Sequence, residues 1–183
     1  FFIYLNSVLG LDLKQSSYYT MLPFLAMAVC SPVGGWFSDR ITRNAGKRTG
    51  RCIVAAVSMA FCALFLAAGT QVTDVPFAVV VLAGGAGALY LAQSAFWAVS
   101  ADIGKASAGS LSGVMNMGCQ IGGAISSSLT PWIASKLAWT ASLVVAAVLV
   151  LAGGLAWLLD NPDQGVGERS QPQGKTAEAG TCA

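Results

Sequence analysis

Five long stretches of the chain are apolar and unbroken by charge. Residues 18–38, 52–70, 75–99, 111–133 and 138–159 contain no Asp, Glu, Lys or Arg and are 21, 19, 25, 23 and 22 residues long. A hydrocarbon core about 30 Å thick takes about 20 helical residues at about 1.5 Å of rise each. Each stretch therefore predicts a membrane-crossing helix. A shorter apolar run, Phe1, Phe2, Ile3, Tyr4 and Leu5, lacks the basic flank of a signal peptide. Residues 1–9 read as the tail of a further helix, so that the sequence looks like the C-terminal part of a longer protein. The predicted fold class is all-α: a polytopic membrane bundle over residues 1–160, one helix partial and five complete. Residues 161–183, rich in Gly, Gln, Pro and charge, have little to bury and are expected to form a disordered tail.

The five spans differ in their polar content. Spans 52–70 and 138–159 are Ala, Val and Leu nearly all round, which suits outer helices facing lipid. Span 75–99 carries Gly84, Gly85 and Gly87, then Tyr90, Gln93, Ser94 and Trp97 on one helical face. Span 111–133 carries Ser112, Asn116 and Gln120 at i, i+4 and i+8, with Gly118 and Gly122 nearby as a small-xxx-small pair. A polar side chain at such depth needs a partner or water, so these faces should look into protein or into an aqueous cavity. For Asn116 and Gln120 an interhelical hydrogen bond and a ligand contact remain open alternatives, and Trp97 is either a packing aromatic or a contact residue. The glycines read as helix-packing devices. Pro23, Pro32 and Pro131 are expected to kink or end helices.

Composition narrows the chemistry. Only 10% of residues are charged and mean hydropathy is +0.66, far from the roughly 25% charged of a soluble domain. The chain has no histidine, which excludes histidine-based catalysis, His-ligated metal and a histidine proton switch. Five cysteines are scattered without a CxxC pair and read as packing residues. No enzyme activity, cofactor or metal is expected. A net charge of +2 does not suggest a nucleic-acid partner. Of the ten basic residues, eight fall in 39–51, 100–110 and the tail, against only Lys14 and Lys136 in the alternate loops. The positive-inside rule then places the loop 39–51 and the C-terminus in the cytoplasm, within a multi-pass cell-membrane protein.

The most specific motif is Gly35-Trp36-Phe37-Ser38-Asp39-Arg40, followed by Arg43, Lys47 and Arg48. Gly35 allows a close helix approach, and Asp39 can pair with Arg40 or Arg43 or face another helix N-terminus. This loop resembles the signature loop of the major facilitator superfamily, with Thr42 where the tight form has Gly. Gly10 to Leu13, the run Phe96 to Ile103 and Gly109 to Asn116 resemble helices seven to twelve of its anion:cation symporter branch, which includes sugar-acid transporters. The resemblance implies a six-helix C-terminal half, a missing N-terminal half as partner, and alternating access around a site near the bilayer midplane. It implies that Gly35, Asp39, Arg40 and Arg43 form a conformational latch against the start of the helix at 111. It also implies that Trp97 and Asn116 contact a small anionic solute. Tyr4, Tyr90, Gln93 and Gln120 are further candidates by periodicity.

The five spans contain neither an ionisable carboxylate nor a buried cation. A proton-coupled anion carrier needs both, so those groups are expected in the part that precedes these spans. The alternative function is a non-transporting membrane structural or assembly subunit, in which the faces 90–97 and 112–120 are buried between helices.

Overall fold

A computed structural model describes Asn6, residues 12–72 and residues 74–159. Apart from Asn6, the expected first-helix tail, Tyr4 within it, and the expected disordered tail lie outside the described residues. Among those described the chain is all-helical. We number the helices α1 (Leu13–Ala45), α2 (Val54–Gly69), α3 (Val75–Gly104), α4 (Ala108–Lys136) and α5 (Trp139–Leu159). A π-helical turn, Thr49–Ile53, leads directly into α2, and a 3-10 turn, Lys105–Ser107, joins α3 to α4.

Helices α1, α3 and α4 overrun their charge-free stretches. The first is 33 residues long where the stretch has 21, because charged residues end the hydrocarbon-compatible segment without ending the helix. Pro23 and Pro32 lie inside α1, and Pro131 inside α4. None of the three ends its helix. Each proline removes one N–H from the ladder, a loss that membrane helices tolerate.

Helix α3 is the hub, packed between α1, α2 and α4. It crosses α1 in parallel register: a Cβ on Gly34 would fall 2.5 Å from the Leu91 carbonyl oxygen, and one on Gly87 would meet Cys30 Sγ at 2.9 Å. The close approach therefore belongs to Gly34. Gly35, expected to provide it, meets only the Ser94 Cβ at an ordinary 3.8 Å. Antiparallel to α3, helix α2 rests Phe65 on Gly84 and Gly85, and α5 sets Gly154 against Met59 and Ala56 of α2. Ala55, Met59, Ala92 and Ala95 form a core with Phe96, Val150 and Trp157 packed on it. The Phe96 and Trp157 rings stack with centroids 4.5 Å apart. Helices α2 and α5 turn Phe61, Leu64, Val148 and Leu155 outward, as lipid-facing helices do.

Helix α4 differs from the others. None of its residues is buried. The small-residue pair Gly118 and Gly122, expected to pack a neighbour closely, has no atom within 4 Å of either would-be Cβ. The correction has a plain physical reason: no described helix lies against that face.

Candidate functional site

Two polar constellations stand out, one at a bundle end and one within the spans. The first is built on Arg51. Its side chain is 13% exposed and bridges two acids, donating from Nη1 to Asp39 Oδ1 at 2.7 Å and from Nε to Asp102 Oδ2 at 3.3 Å. Lys47 Nζ reaches Asp102 Oδ1 at 3.2 Å. Arg51 Nη1 also donates to Ser38 Oγ at 3.0 Å, and the Ser38 hydroxyl donates to the Gly50 carbonyl at 2.7 Å. One guanidinium fork therefore ties together the C-terminal part of α1, the π-helical turn and the C-terminal end of α3. Planar, five-donor geometry suits Arg to that role.

This arrangement corrects the expected pairing. The partner of Asp39 is Arg51, twelve residues on, and not Arg40, Arg43 or the start of α4. Arg40 and Arg43 are exposed and make no ion pair among the described residues. The first turns of α4 are held instead by a 2.8 Å hydrogen bond between Ser100 and Ser112. Arg51 went unnoticed in the sequence as anything more than one of several basic residues. A signal was nonetheless present: Arg51 is the last charge before one span and Asp102 the first after another.

The second constellation follows from that Ser100–Ser112 contact. Helices α3 and α4 run antiparallel away from it. Trp97 is three residues before Ser100 and Asn116 four after Ser112, which sets both about 5 Å from the contact at a helical rise of 1.5 Å. Gln93 and Gln120 lie one turn further, at about 11 Å by the same rise. Counted along the two helices, polar groups therefore recur at similar heights: Trp97 and Asn116 at one level, Gln93 and Gln120 at the next. Tyr90 continues the α3 face one turn deeper. Trp97, Asn116 and Gln120 are exposed, whereas Tyr90 and Gln93 are half-buried. Among the described residues none of the five makes a side-chain hydrogen bond to another. The interhelical bond considered for Asn116 and Gln120 is therefore absent there. Indole N–H, phenol O–H and carboxamide groups remain available to a ligand carrying both donors and acceptors.

The described residues hold no group of three His, Cys, Asp or Glu able to bind a metal. The sequence profile of the Major Facilitator Superfamily matches residues 1–180. The chain belongs to that superfamily. As a superfamily member it is a multi-pass membrane protein of a transporter family, and its curated relatives are anion transporters. A probable sulfoacetate transporter of Cupriavidus necator is 31% identical over 174 residues, covering 90% of this chain and 40% of the relative. The chloroplastic ascorbate transporter of Arabidopsis thaliana is 31% identical, covering 85% of this chain and 29% of the relative. A probable chloroplastic anion transporter of rice is likewise 31% identical, over 84% and 26% respectively. The chain thus spans between about a quarter and two-fifths of the length of these relatives.

Proposed function

We propose that the chain is the C-terminal six-helix part of a secondary transporter that carries a small organic anion, a sugar acid or similar carboxylate, by alternating access. The observation that carries this reading is the set of polar residues at corresponding heights on α3 and α4, unpartnered by other described side chains and set within charge-free spans. Kinship with transporters of sulfoacetate and ascorbate supports the anionic class. Trp97, Asn116, Gln93 and Gln120 are the proposed solute contacts, Tyr90 and Tyr4 accessory ones. Neutral donors and acceptors of this kind suit the hydroxyl-bearing end of a solute. Its carboxylate calls for a cation that these spans do not carry, and cation or proton coupling calls for a titrating carboxylate that they also lack. Both groups are assigned to a preceding N-terminal half.

Asp39, Arg51 and Asp102 are proposed as the working centre of the conformational latch, with Gly35, Arg40 and Arg43 around it. The cluster joins three helical elements at one end, where separation of the halves would have to pull on it. With eight of ten basic residues on the same side, that end is assigned to the cytoplasm of a cell membrane. Uptake of labelled sugar acids by cells expressing the whole transporter tests the reading: Asn116→Ala or Trp97→Ala lowers uptake at least tenfold while surface abundance is unchanged. Wild-type uptake by both variants overturns it and favours the structural-subunit alternative.

A further inference from the structure

The C-terminal end of α3 is held from two sides. Asp102 takes Lys47 and Arg51, and two residues earlier the buried Ser100 touches both its own helix and α4. Its hydroxyl oxygen lies 2.8 Å from the Trp97 carbonyl oxygen and 2.8 Å from Ser112 Oγ. A serine hydroxyl has one proton to give, and a carbonyl oxygen has none. The proton between Ser100 and Trp97 is therefore that of Ser100, and the proton between the two serines comes from Ser112. This fixes the order: Ser112 donates to Ser100, and Ser100 donates to the Trp97 carbonyl.

Among the described residues this is the only side-chain hydrogen bond between α3 and α4. Helix α4 has no buried residue to fix its place by packing, so the bridge carries more of that task than a lone hydrogen bond usually does. Ser100 is only 4% exposed, and water is poorly placed to replace Ser112 as its donor. The bridge also sits one turn from Trp97 on α3 and one turn from Asn116 on α4, about 5 Å from each at helical rise.

We infer that Ser100 and Ser112 are positioning residues for the solute site, an inference that rests on the proposed solute contacts of Trp97 and Asn116. Ser100 bonds the backbone of Trp97 and not its side chain, so it acts on the helical turn from which the indole projects. A serine hydroxyl bonded back to a carbonyl about one turn earlier adjusts the bend of a helix. Ser112 holds that hydroxyl in place, because turning it to another acceptor breaks the bridge. Indole and carboxamide are thereby kept at a set separation on two helices with no other side-chain hydrogen bond between them among the described residues. Neither serine is itself a solute contact.

Uptake kinetics distinguish positioning from plain stabilisation. In cells expressing the whole transporter, the labelled sugar acid taken up fastest by the wild type is followed over a concentration series. Ser112→Ala, Ser112→Thr, Ser100→Ala and the double alanine variant are compared, beside Trp97→Ala and Asn116→Ala. Each single serine-to-alanine variant is expected to raise KM about fivefold, equivalent to about 1 kcal/mol, with the maximal rate per molecule at the surface unchanged. Ser112→Thr keeps the donor and restores the wild-type KM. The double variant is no worse than either single one, since one bridge can be lost only once. Wild-type KM in Ser112→Ala, or a threonine variant as impaired as the alanine one, overturns the inference. Loss of maximal rate or surface abundance with KM unchanged overturns it too. Intact uptake by both Trp97→Ala and Asn116→Ala sinks the solute-site reading and this inference with it. Impaired uptake by those two beside a normal Ser112→Ala removes the positioning role alone. A check that needs no solute uses Ser100→Cys together with Ser112→Cys, the native cysteines being replaced by Ala. Copper phenanthroline is expected to join the two thiols as a disulfide, with two electrons passing to oxygen and two protons released. Failure to cross-link overturns the contact on which the inference stands.

Discussion

Arg51 shows how much one side chain can hold. Largely buried, it is bonded to Asp39, Asp102 and Ser38 at once, so its removal strands acceptors that have given up water. Hydrogen bonds to charged groups are worth about 1.5–3 kcal/mol each, and we expect Arg51→Ala to cost about 2 kcal/mol of stability and to slow uptake. Arg51→Lys keeps the charge but loses the fork and should fall between. Asp39 is 53% exposed, and Asp39→Asn should cost under about 1 kcal/mol, as exposed pairs do. Thermal melts of the three variants rank these effects, and equal costs for all three would contradict the bridging geometry. Asn116 behaves oppositely. Exposed and without a side-chain partner among the described residues, Asn116→Ala is expected to change stability by no more than about 0.5 kcal/mol while lowering uptake. Asn116 was legible as a candidate because a carboxamide in an apolar span is conspicuous. Arg51 was not, because its worth depends on Asp102 being brought beside it from 51 positions away.

At the scale of elements, close approach decides which glycines matter. Gly34 has the Leu91 backbone against it, and Gly50 in the π-helical turn has the Thr42 backbone and hydroxyl against it. Backbone atoms cannot rotate aside. Gly34→Val and Gly50→Ala should each cost about 1–3 kcal/mol by overpacking, whereas Gly118→Ala, with open space around it, should be neutral within about 0.5 kcal/mol or slightly stabilising through helix propensity. Denaturation in mild detergent checks the contrast. The α3–α4 connection holds a second contrast, since Lys105 adopts φ 47°, a region that favours glycine. Lys105→Gly is expected to raise the melting temperature by relieving strain of about 1 kcal/mol. The spans themselves were readable because charge is intolerable in hydrocarbon. Their ends were not, since α1 continues to Ala45 through Asp39, Arg40 and Arg43. Charge marks the membrane boundary, and the helix has no reason to stop there. The π-helical start of α2 and the choice of Gly34 over Gly35 follow from neighbours that a single sequence does not display.

For the whole molecule, the absence of charge within the spans is the governing fact. It makes a bundle able to sit in a membrane, and it leaves the bundle without the groups that anion capture and cation coupling require. The 183-residue chain reconstituted alone is therefore expected to give no coupled uptake in proteoliposomes, whereas the chain joined to the proposed N-terminal half should. The central claim is that the α3 and α4 polar faces border a solute pathway. Labelling of Asn116→Cys by a membrane-impermeant thiol reagent, in the whole transporter with Cys119 replaced by Ser, tests it most directly. The account predicts that Cys at position 116 reacts and that a transported carboxylate slows the reaction several-fold. A thiol there that stays unreactive, or reacts at a rate indifferent to every transported anion, would contradict it.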